Sequence, residues 1–419
     1  MRARSTGLIA AFIAVSMAVT RAGAEETGRS LVVAPDGDDR TGTGASDRPW
    51  RTLRHAATQL RAGDDLVVRA GDYVEGDPDD RDAGVRVACV GRADAWIRIR
   101  GEDGARPTIT AAAWYALRIE DSAYVAVSGL AVRTRPFKAG SFAGDLGCGI
   151  GALRSQHVRF RGNDVRGCGG GGISAIHSDH VHIVDNVVVG NAFGNPFQCS
   201  GISLYQCRDL DPSDGYRNFI IGNVCAGNEN RVPHHRTAKL TDGNGIIVDD
   251  GRNTQGRGPH VAYDGATLIA DNLCAGNGGR GIHVFLSDNV DVVGNTCHGN
   301  GRTLPRAAEL SVARSDAVRL DRNVAQAIPG GLAAMIERIG DAVAWRDNVL
   351  DGSIVAPQSL GAGGVVADPR FLRANDDPER ADFSLDPRSP AHALGAGRGP
   401  EARASTPYPS ATGTRMISR

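Results

Sequence analysis

Short segments of alternating apolar and polar residues recur along the middle of the chain, and each ends on an asparagine. An alternation of only a few residues is typical of a short strand rather than a helix. The asparagines are 23, 37, 49, 23, 28 and 25 residues apart, and a base period of about 23 to 25 residues with two expanded units is typical of a solenoid. Because asparagine tolerates left-handed backbone and bonds neighbouring backbone groups, we expect one ladder position per coil. The predicted ladder residues are Asn163, Asn186, Asn223, Asn272, Asn295, Asn323 and Asn348.

A second phrase, in which isoleucine follows glycine, begins at Gly149, Gly172, Gly201, Gly245 and Gly281. The two-residue period of a strand turns the isoleucine, and the residue two positions later, toward the inside. A leucine-rich repeat needs a leucine-dense consensus that this chain lacks, and a propeller blade needs about 40 residues. The two phrases together predict an all-β fold, a right-handed parallel β-helix solenoid.

Composition agrees with a fold of many tight turns. Glycine accounts for 55 of the 419 residues, whereas aromatic residues make up only 5%, and interior glycines destabilise helices. The 47 basic and 48 acidic residues nearly cancel, so no charge excess points to nucleic acid as a partner.

The beginning of the chain predicts export. Arg2 and Arg4 precede a mostly apolar segment from Leu8 to Val19, and Ala22 and Ala24 form a small-x-small cleavage site. We therefore expect a signal peptide over residues 1–24 and a secreted or periplasmic protein, with an uncleaved membrane anchor as the alternative. No later segment is apolar enough to span a bilayer.

Eight cysteines permit disulfides in an exported chain, and Cys199 and Cys207 are the candidates for disulfide or loop thiols. Cys225, Cys274 and Cys297 each lie two residues after a ladder asparagine. That shared register predicts a stack of buried sulfur atoms inside the coils. The chain has no CxxC pair, so the sequence does not predict a structural zinc site of that type.

The amino-terminal stretches Leu31–Gly37, Pro49–Leu53 and Ala62–Tyr73 resemble the entry module of secreted β-helix proteins of the pectate-lyase-like superfamily. The resemblance implies an entry strand and a capping helix within residues 25–72, the helix at about Thr52 to Leu60. It further implies a β-helix over 73–365. A closing segment and flexible tail would occupy 366–419, where Asp368–Phe371 and Asp382–Ala391 resemble the end of these proteins. The superfamily includes lyases, hydrolases, epimerases and adhesins, so the resemblance is specific for fold and not for reaction.

Two coils are expanded, and insertions in solenoids tend to emerge on the binding face. In pectate-lyase-like proteins the cleft follows the strand that here begins with Gly-Ile. Because neighbouring coils are about 4.8 Å apart, we expect Tyr205, Asp249, Phe285 and His283 to lie close together, with Lys239 and Asp242 approaching from the adjoining insertion.

These residues suit β-elimination on a uronate-containing polysaccharide. Three carboxylates within nine positions, Asp242, Asp249 and Asp250, predict a Ca²⁺ site. Lys239 is the candidate base, and Tyr205 and His283 are candidate donors to the leaving oxygen. A cation, either Ca²⁺ or an arginine such as Arg280, would stabilise the developing negative charge. The predicted substrate-binding residues are His177, Gln206, Phe285, Arg252 and Glu229.

Other chemistries remain open from the sequence. A glycoside hydrolase needs two carboxyl groups, and Asp242 with Asp249 is the better pair because adjacent strand residues such as Asp249 and Asp250 point opposite ways. A uronate C5-epimerase would share the apparatus for proton abstraction. His177, His234, His235 and His283 allow a transition-metal site. A glycan-binding adhesin would present a face of Ser, Thr and Asn. The sequence favours a secreted monomeric polysaccharide lyase.

Overall fold

The protein is described here by a computed structural model covering residues 28–76, 81–140, 142, 144–256, 261–340, 342–357, 364–375 and 381–397. The predicted signal peptide and the end of the predicted tail lie outside the described residues. Within them the chain winds through three parallel sheets, called A, B and C below, so that each full coil contributes one strand to each sheet. The predicted parallel β-helix is therefore confirmed.

Each sheet is ordered along the coil axis, and its neighbours come from successive coils. The strands of sheet A are Ser30–Val33, Asp65–Val68, Ile97–Gly101, Ala123–Ser128, Gln156–Arg161, Asp179–Val184, Tyr216–Ile221, Ala266–Ala270, Val290–Val293, Val318–Asp321 and Ala344–Arg346. The strands of sheet B are Ala83–Val87, Tyr115–Glu120, Cys148–Leu153, Ile173–Ile176, Ile202–Tyr205, Ile246–Asp249, Ile282–Phe285, Ala308–Ala313, Leu332–Glu337 and Ser353–Val355. The strands of sheet C are Asp72–Glu75, Thr108–Ala111, Ala131–Thr134, Asp164–Arg166, Val187–Val189, Val224–Ala226, Leu273–Ala275, Thr296–His298, Val324–Gln326, Val349–Asp351 and Val365–Val366.

The Gly-Ile phrases form sheet B, and their isoleucines pair in register from coil to coil. The five isoleucines are almost completely buried, as predicted. The preceding glycine is required by close packing. A Cβ added at Gly172 would lie 2.4 Å from Cγ1 of Val188, a distance that no side chain tolerates.

The predicted asparagine ladder is also confirmed. The seven side chains are fully buried, and from Asn186 onward each amide oxygen accepts from the backbone N–H and the side-chain amide of the preceding asparagine. Each side-chain amide of the ladder from Asn163 to Asn323 thus bonds its successor at 2.9 to 3.1 Å. The ladder satisfies polar groups at a turn that water does not reach.

A second ladder, which the sequence analysis did not find, follows sheet C. Asn191, Asn228, Asn277 and Asn300 repeat the same bonding pattern. The last of them donates through its backbone and its side chain to the buried carboxyl of Glu309. The signal was present, because each of these asparagines follows a glycine.

The cysteine predictions had different outcomes. Cys225, Cys274 and Cys297 pair in register and are completely buried, so the predicted sulfur stack is confirmed. All eight cysteines belong to the described residues, and all eight are free thiols. Cys207 lies in the core, whereas Cys199 lines a cavity beside sheet B, so the two candidate disulfide cysteines are not paired.

The ends of the stack are covered by short elements. The predicted capping helix is shorter than expected and extends only over Leu53–Ala57, with Thr52 as its N-cap. Its buried residues join the main core. At the other end, the antiparallel pair Phe371–Arg373 and Asp382–Leu385 precedes the helix Pro390–Leu394. The described residues include no helix of the length and apolar character needed to cross a membrane.

Removing one rung tests the first ladder. Asn272→Ala deletes an amide that accepts from Asn223 and donates to Asn295 and to the carbonyl of Ile220. Because the partners stay buried without bonds, we expect the free energy of unfolding to fall by about 3 kcal/mol. Urea denaturation measures it, with exposed Gln59→Ala as the control. Equal stability of the two variants would contradict the role of the ladder.

Candidate functional site

A cavity of about 510 Å³ lies on the outward face of sheet B. Its floor consists of three neighbouring strands of that sheet, and its walls come from residues 195–200 and from the expanded coil before Asp249. The residues that line it are Trp114, Tyr115, Cys148, Gly171, Ser174, Ile176, Asn195, Phe197, Gln198, Cys199, Ser200, Ser203, Tyr205, His234, His235, Arg236, Thr241, Asp242, Ile247, Asp249 and Gln255. This volume is in the usual range of small-ligand sites, about 300–1,000 Å³.

Strand register decides which side chains share the floor. Ser174, Ser203 and Ile247 pair along one outward row, and Ile176, Tyr205 and Asp249 pair along the next. Small residues on the first row leave room above the sheet. At the preceding coil the space is taken by Tyr115, since a Cβ on Gly151 would lie 2.4 Å from the ring of Tyr115.

Aromatic side chains form one wall of the cavity. The rings of Trp114 and Phe197 meet edge to face with centroids 5.5 Å apart, and His235 lies 4.6 Å from Phe197. Such a wall offers a flat apolar surface to a ligand.

Asp249 is the most perturbed acid of the cavity. Among the described residues, one hydrogen-bond donor reaches its carboxyl, Gln255 Nε2 at 2.9 Å. Burial raises the pKa of Asp249 to about 8, with further contributions from the negative charges of Asp242 and Asp250. The carboxyl therefore retains its proton at neutral pH.

Asp242 faces the same cavity in a more polar setting. It accepts from Thr241 Oγ1 at 2.9 Å and from Asn244 Nδ2 at 3.0 Å. Burial raises the pKa of Asp242, whereas Thr241, the positive charge of Arg280 and Asn244 oppose that rise. The pKa of Asp242 is thus raised overall, but this acid has more neighbouring groups that favour its charged form than Asp249 has.

The third predicted calcium ligand has a different task. Asp250 is completely buried and is not among the residues that line the cavity. It accepts from Gln206 Nε2, from the backbone and hydroxyl of Thr254, and from the backbone of Gln255, each at 2.8 Å. These bonds fix the segment that brings Gln255 to Asp249. The three carboxylates therefore do not fit the calcium site predicted from their spacing, because one of them is occupied by four donors.

Two tyrosines supply hydroxyl groups to the cavity. Burial, together with the charges of Asp249 and Asp250, raises the pKa of Tyr205 to about 12. Tyr115 is also buried, which raises its pKa, and its hydroxyl lies 3.4 Å from Ser174 Oγ. Both hydroxyls are protonated donors at neutral pH.

The predicted cationic and histidine residues lie around this cavity. Lys239 is exposed, and its carbonyl accepts from the backbone of His234 at 2.9 Å. Arg280 donates to the carbonyl of Thr241 at 3.1 Å, and burial lowers the pKa of its guanidinium. His283 is buried one coil beyond Ile247, where burial lowers its pKa and its ring stacks 5.5 Å from Phe285.

The remaining predicted binding residues form contacts at the edges of the coils. His177 Nε2 lies 3.0 Å from Gln206 Oε1. Arg252 pairs with Asp288 through two bonds of 2.8 Å. Glu229 accepts from Thr303 Oγ1 at 2.5 Å. The structure thus brings Tyr205, Asp242 and Asp249 together in the cavity, and places these other residues outside its lining.

Several lining residues escaped the sequence analysis. Trp114 and Tyr115 belong to a coil whose strand, Tyr115–Glu120, lacks the Gly-Ile phrase. Phe197 lies within the first expanded unit, where residues 191–200 wrap over the floor. The adjacent pair Trp114 and Tyr115, in a chain with only 5% aromatic residues, was the available signal for this part of the wall.

Comparison with known proteins shows that this chain shares its fold with solved β-helix structures. A family model described as "Right handed beta helix region" matches residues 108–335. A solved rhamnogalacturonan lyase is 13% identical with a TM-score of 0.60, and the alignment covers 88% of this chain and 100% of the lyase. Pectate lyase Pel9A is 16% identical with a TM-score of 0.54, covering 87% and 90%.

A third structure, XylC in complex with xylose, is 12% identical with a TM-score of 0.56, covering 78% of this chain and 69% of XylC. No curated protein matches this chain. At these identities the likeness concerns the fold, because one fold supports many reactions.

The raised pKa of Asp249 predicts a pH-dependent gain in stability for Asp249→Asn. The folded protein favours the protonated form of Asp249. The stability that this preference contributes is complete below the unfolded pKa of 3.8 and is lost as the pH rises through about 8. The amide of the variant stays neutral at every pH, so the variant does not lose this stability. We expect the melting temperature of the variant to exceed that of the wild type by about 2 °C or more at pH 8.5, and to match it near pH 4. Calorimetry measures the difference, with exposed Asp94→Asn as the control. A difference independent of pH would contradict the assignment.

Proposed function

The chain belongs to the right-handed β-helix family, and from that premise we propose that it is an exported carbohydrate-active enzyme that hydrolyses glycosidic bonds in the cavity beside sheet B. The observation that carries the proposal is the pair Asp242 and Asp249, two acids that line one cavity in unequal surroundings. Export rests on the predicted signal peptide, and a polysaccharide or a fragment of one is the proposed substrate.

The two acids divide the work of hydrolysis by their surroundings. Glycoside hydrolysis needs one carboxyl group that holds a proton for the leaving oxygen and one carboxylate that assists attack at the anomeric carbon. Asp249, with a pKa of about 8 and one donor, supplies the proton. Asp242, with two donors and the charge of Arg280 nearby, supplies the carboxylate. Pairs of acids whose environments separate their pKa values are the usual solution to this problem.

The rest of the cavity suits a sugar. The wall of Trp114 and Phe197 offers an apolar surface to the C–H face of a pyranose ring. Tyr205 and the serines of the floor offer hydroxyl groups to its polar edge. The volume of about 510 Å³ accommodates a short part of a glycan rather than an extended chain.

β-Elimination on a uronate is the second candidate, and the observation that favours it is Arg236 in the lining of the cavity. A guanidinium would neutralise a sugar carboxylate, and Tyr205 would donate to the leaving oxygen. Lys239, the base predicted from the sequence, would have to approach from the exposed side of its loop. Elimination produces an unsaturated uronate with strong ultraviolet absorbance, whereas hydrolysis produces none.

A panel of neutral and uronate-containing glycans tests the proposal. Release of reducing ends is measured together with ultraviolet absorbance on the purified mature protein. Hydrolysis predicts new reducing ends without absorbance on at least one substrate. If ultraviolet absorbance rises together with the reducing ends, the reaction is elimination and the proposal of hydrolysis is wrong. If the protein binds a glycan tightly but releases no product from any of them, it is a binding protein.

Variants separate the roles of the two acids. Asp249→Asn is expected to lower kcat/KM on a natural glycan by about 100-fold or more, and to remove the loss of wild-type activity above about pH 8. On an aryl glycoside whose leaving group needs no proton, the same variant keeps most of its activity. Asp242→Asn loses activity on both substrates.

The matched control is Asp94→Asn, an exposed acid that is not among the lining residues of the cavity, which is expected to leave both activities unchanged. Equal losses of Asp249→Asn on the glycan and on the activated substrate would contradict its role as the acid.

A further inference from the structure

A cluster of two histidines and one aspartate lies outside the cavity, at the edge where sheet B turns into sheet A. His157 and His180 face each other across neighbouring strands, because Gln156 pairs with Asp179 and Val158 pairs with Val181. Both have left-handed backbone, with φ of 52° and 50°. Asp211 comes from the insertion 208–216, which the proposed hydrolysis does not use.

The three side chains converge on one point. Each residue offers one ligand atom: a ring nitrogen of His157, a ring nitrogen of His180 and a carboxylate oxygen of Asp211. These three atoms all lie within 4.8 Å of one another. His157 Nε2 is 2.7 Å from Asp211 Oδ2, and His180 Nε2 is 2.8 Å from the backbone carbonyl of Asp211. The imidazole rings stack at 4.4 Å with an angle of 21°, so both direct the same edge toward the insertion.

The insertion is also held in this position by contacts that do not involve the histidine side chains. The buried carboxylate of Asp179 accepts from the backbone N–H groups of Leu210 and Asp211 at 3.0 and 3.3 Å. Its other oxygen accepts from the hydroxyl of Tyr263 at 2.6 Å. Asp211 is therefore positioned before any ligand arrives, which reduces the ordering cost of binding.

We propose that His157, His180 and Asp211 form a site for a divalent transition-metal ion of the Zn²⁺ class, which fastens the insertion 208–216 to the coils. Two imidazole nitrogens and one carboxylate oxygen are ligands that zinc accepts, whereas calcium prefers oxygen alone. Three protein ligands leave one position of a tetrahedral ion for water. Ligands at about 2.0–2.1 Å from a tetrahedral ion lie about 3.3 Å apart, so small side-chain adjustments must widen the contact of His157 with Asp211 and shorten the longer separations in the cluster.

The geometry also supplies the competing explanation. Tyr124 stacks on His157 at 4.4 Å with an angle of 6°, so the histidines extend an aromatic column, and Asp211 then serves as their hydrogen-bond partner. That column would need no ion. The two explanations differ in whether the full mature chain, without any affinity tag, binds zinc at one equivalent.

Titration of the chelator-treated protein with Zn²⁺, in competition with a chromophoric chelator, distinguishes them. We expect one equivalent to bind and the melting temperature to rise with zinc concentration, because an ion that binds the folded chain stabilises it. His180→Gln and Asp211→Asn are each expected to weaken binding at least about tenfold and to abolish the zinc-dependent rise.

His392→Gln, an exposed histidine of the last helix, is the matched control and should bind zinc like the wild type. Circular dichroism shows whether each variant is folded. Replacing zinc by Co²⁺ adds a direct readout, since nitrogen and oxygen ligands in a tetrahedral site give visible absorption bands that the two variants should lose. The proposal would be overturned if the wild type bound no zinc, or if the wild type and the three variants bound zinc equally. The aromatic column would then be the explanation of the cluster.

Discussion

The hydrogen bond from one buried asparagine amide to the next is the interaction on which the rest of the structure depends. In a solenoid most contacts join a coil to its immediate neighbours, so the bonds between successive coils must fix the register. The ladder from Asn163 to Asn348 bonds side chain to side chain and side chain to backbone at every step. A slip of one residue would leave these amides buried without partners, at a cost of several bonds. The ladder thus aligns the outward rows of sheet B, on which the cavity is built.

Aligned coils provide a floor, and the two expanded coils provide the chemistry. Small side chains at Ser174 and Ser203 keep the floor open, whereas residues 195–200 and the insertion before Asp249 form walls around it. Enclosure raises the pKa of a carboxyl group, because removal from water disfavours its charged form. Within the described part of the chain, Asp249 has one hydrogen-bond donor and keeps the proton, whereas Asp242 has two donors and a nearby guanidinium. The functional difference between two identical side chains therefore comes from their surroundings.

The sequence predicted those features that repeat. The ladder asparagines, the inward isoleucines and the sulfur stack recur at fixed offsets, and periodicity reveals such positions. The same periodicity placed Tyr205 beside Asp249, since both follow a Gly-Ile phrase by a fixed number of residues. It also indicated that Asp249 and Asp250 would diverge, although the spacing of the three acids suggested calcium. Only the structure shows that Asp250 is occupied by Gln206, Thr254 and Gln255.

Features that occur once were not predictable in this way. The wall of Trp114 and Phe197 depends on how residues outside the Gly-Ile pattern fold over the floor. The convergence of His157 and His180 on Asp211 depends on the path of an insertion. The path of a loop depends on individual contacts such as those of Asp179. Such contacts do not repeat from coil to coil, so the periodicity of the sequence does not predict them.

The protonation state of Asp249 is the central claim, and a titration of side-chain carboxyl ¹³C resonances in aspartate-labelled protein measures it most directly. The account predicts one aspartate resonance that titrates near pH 8 and is missing from Asp249→Asn. If the resonance lost in that variant titrates in the ordinary range of aspartate, about pH 3 to 5, Asp249 is ionised at neutral pH. It could not then act as the acid.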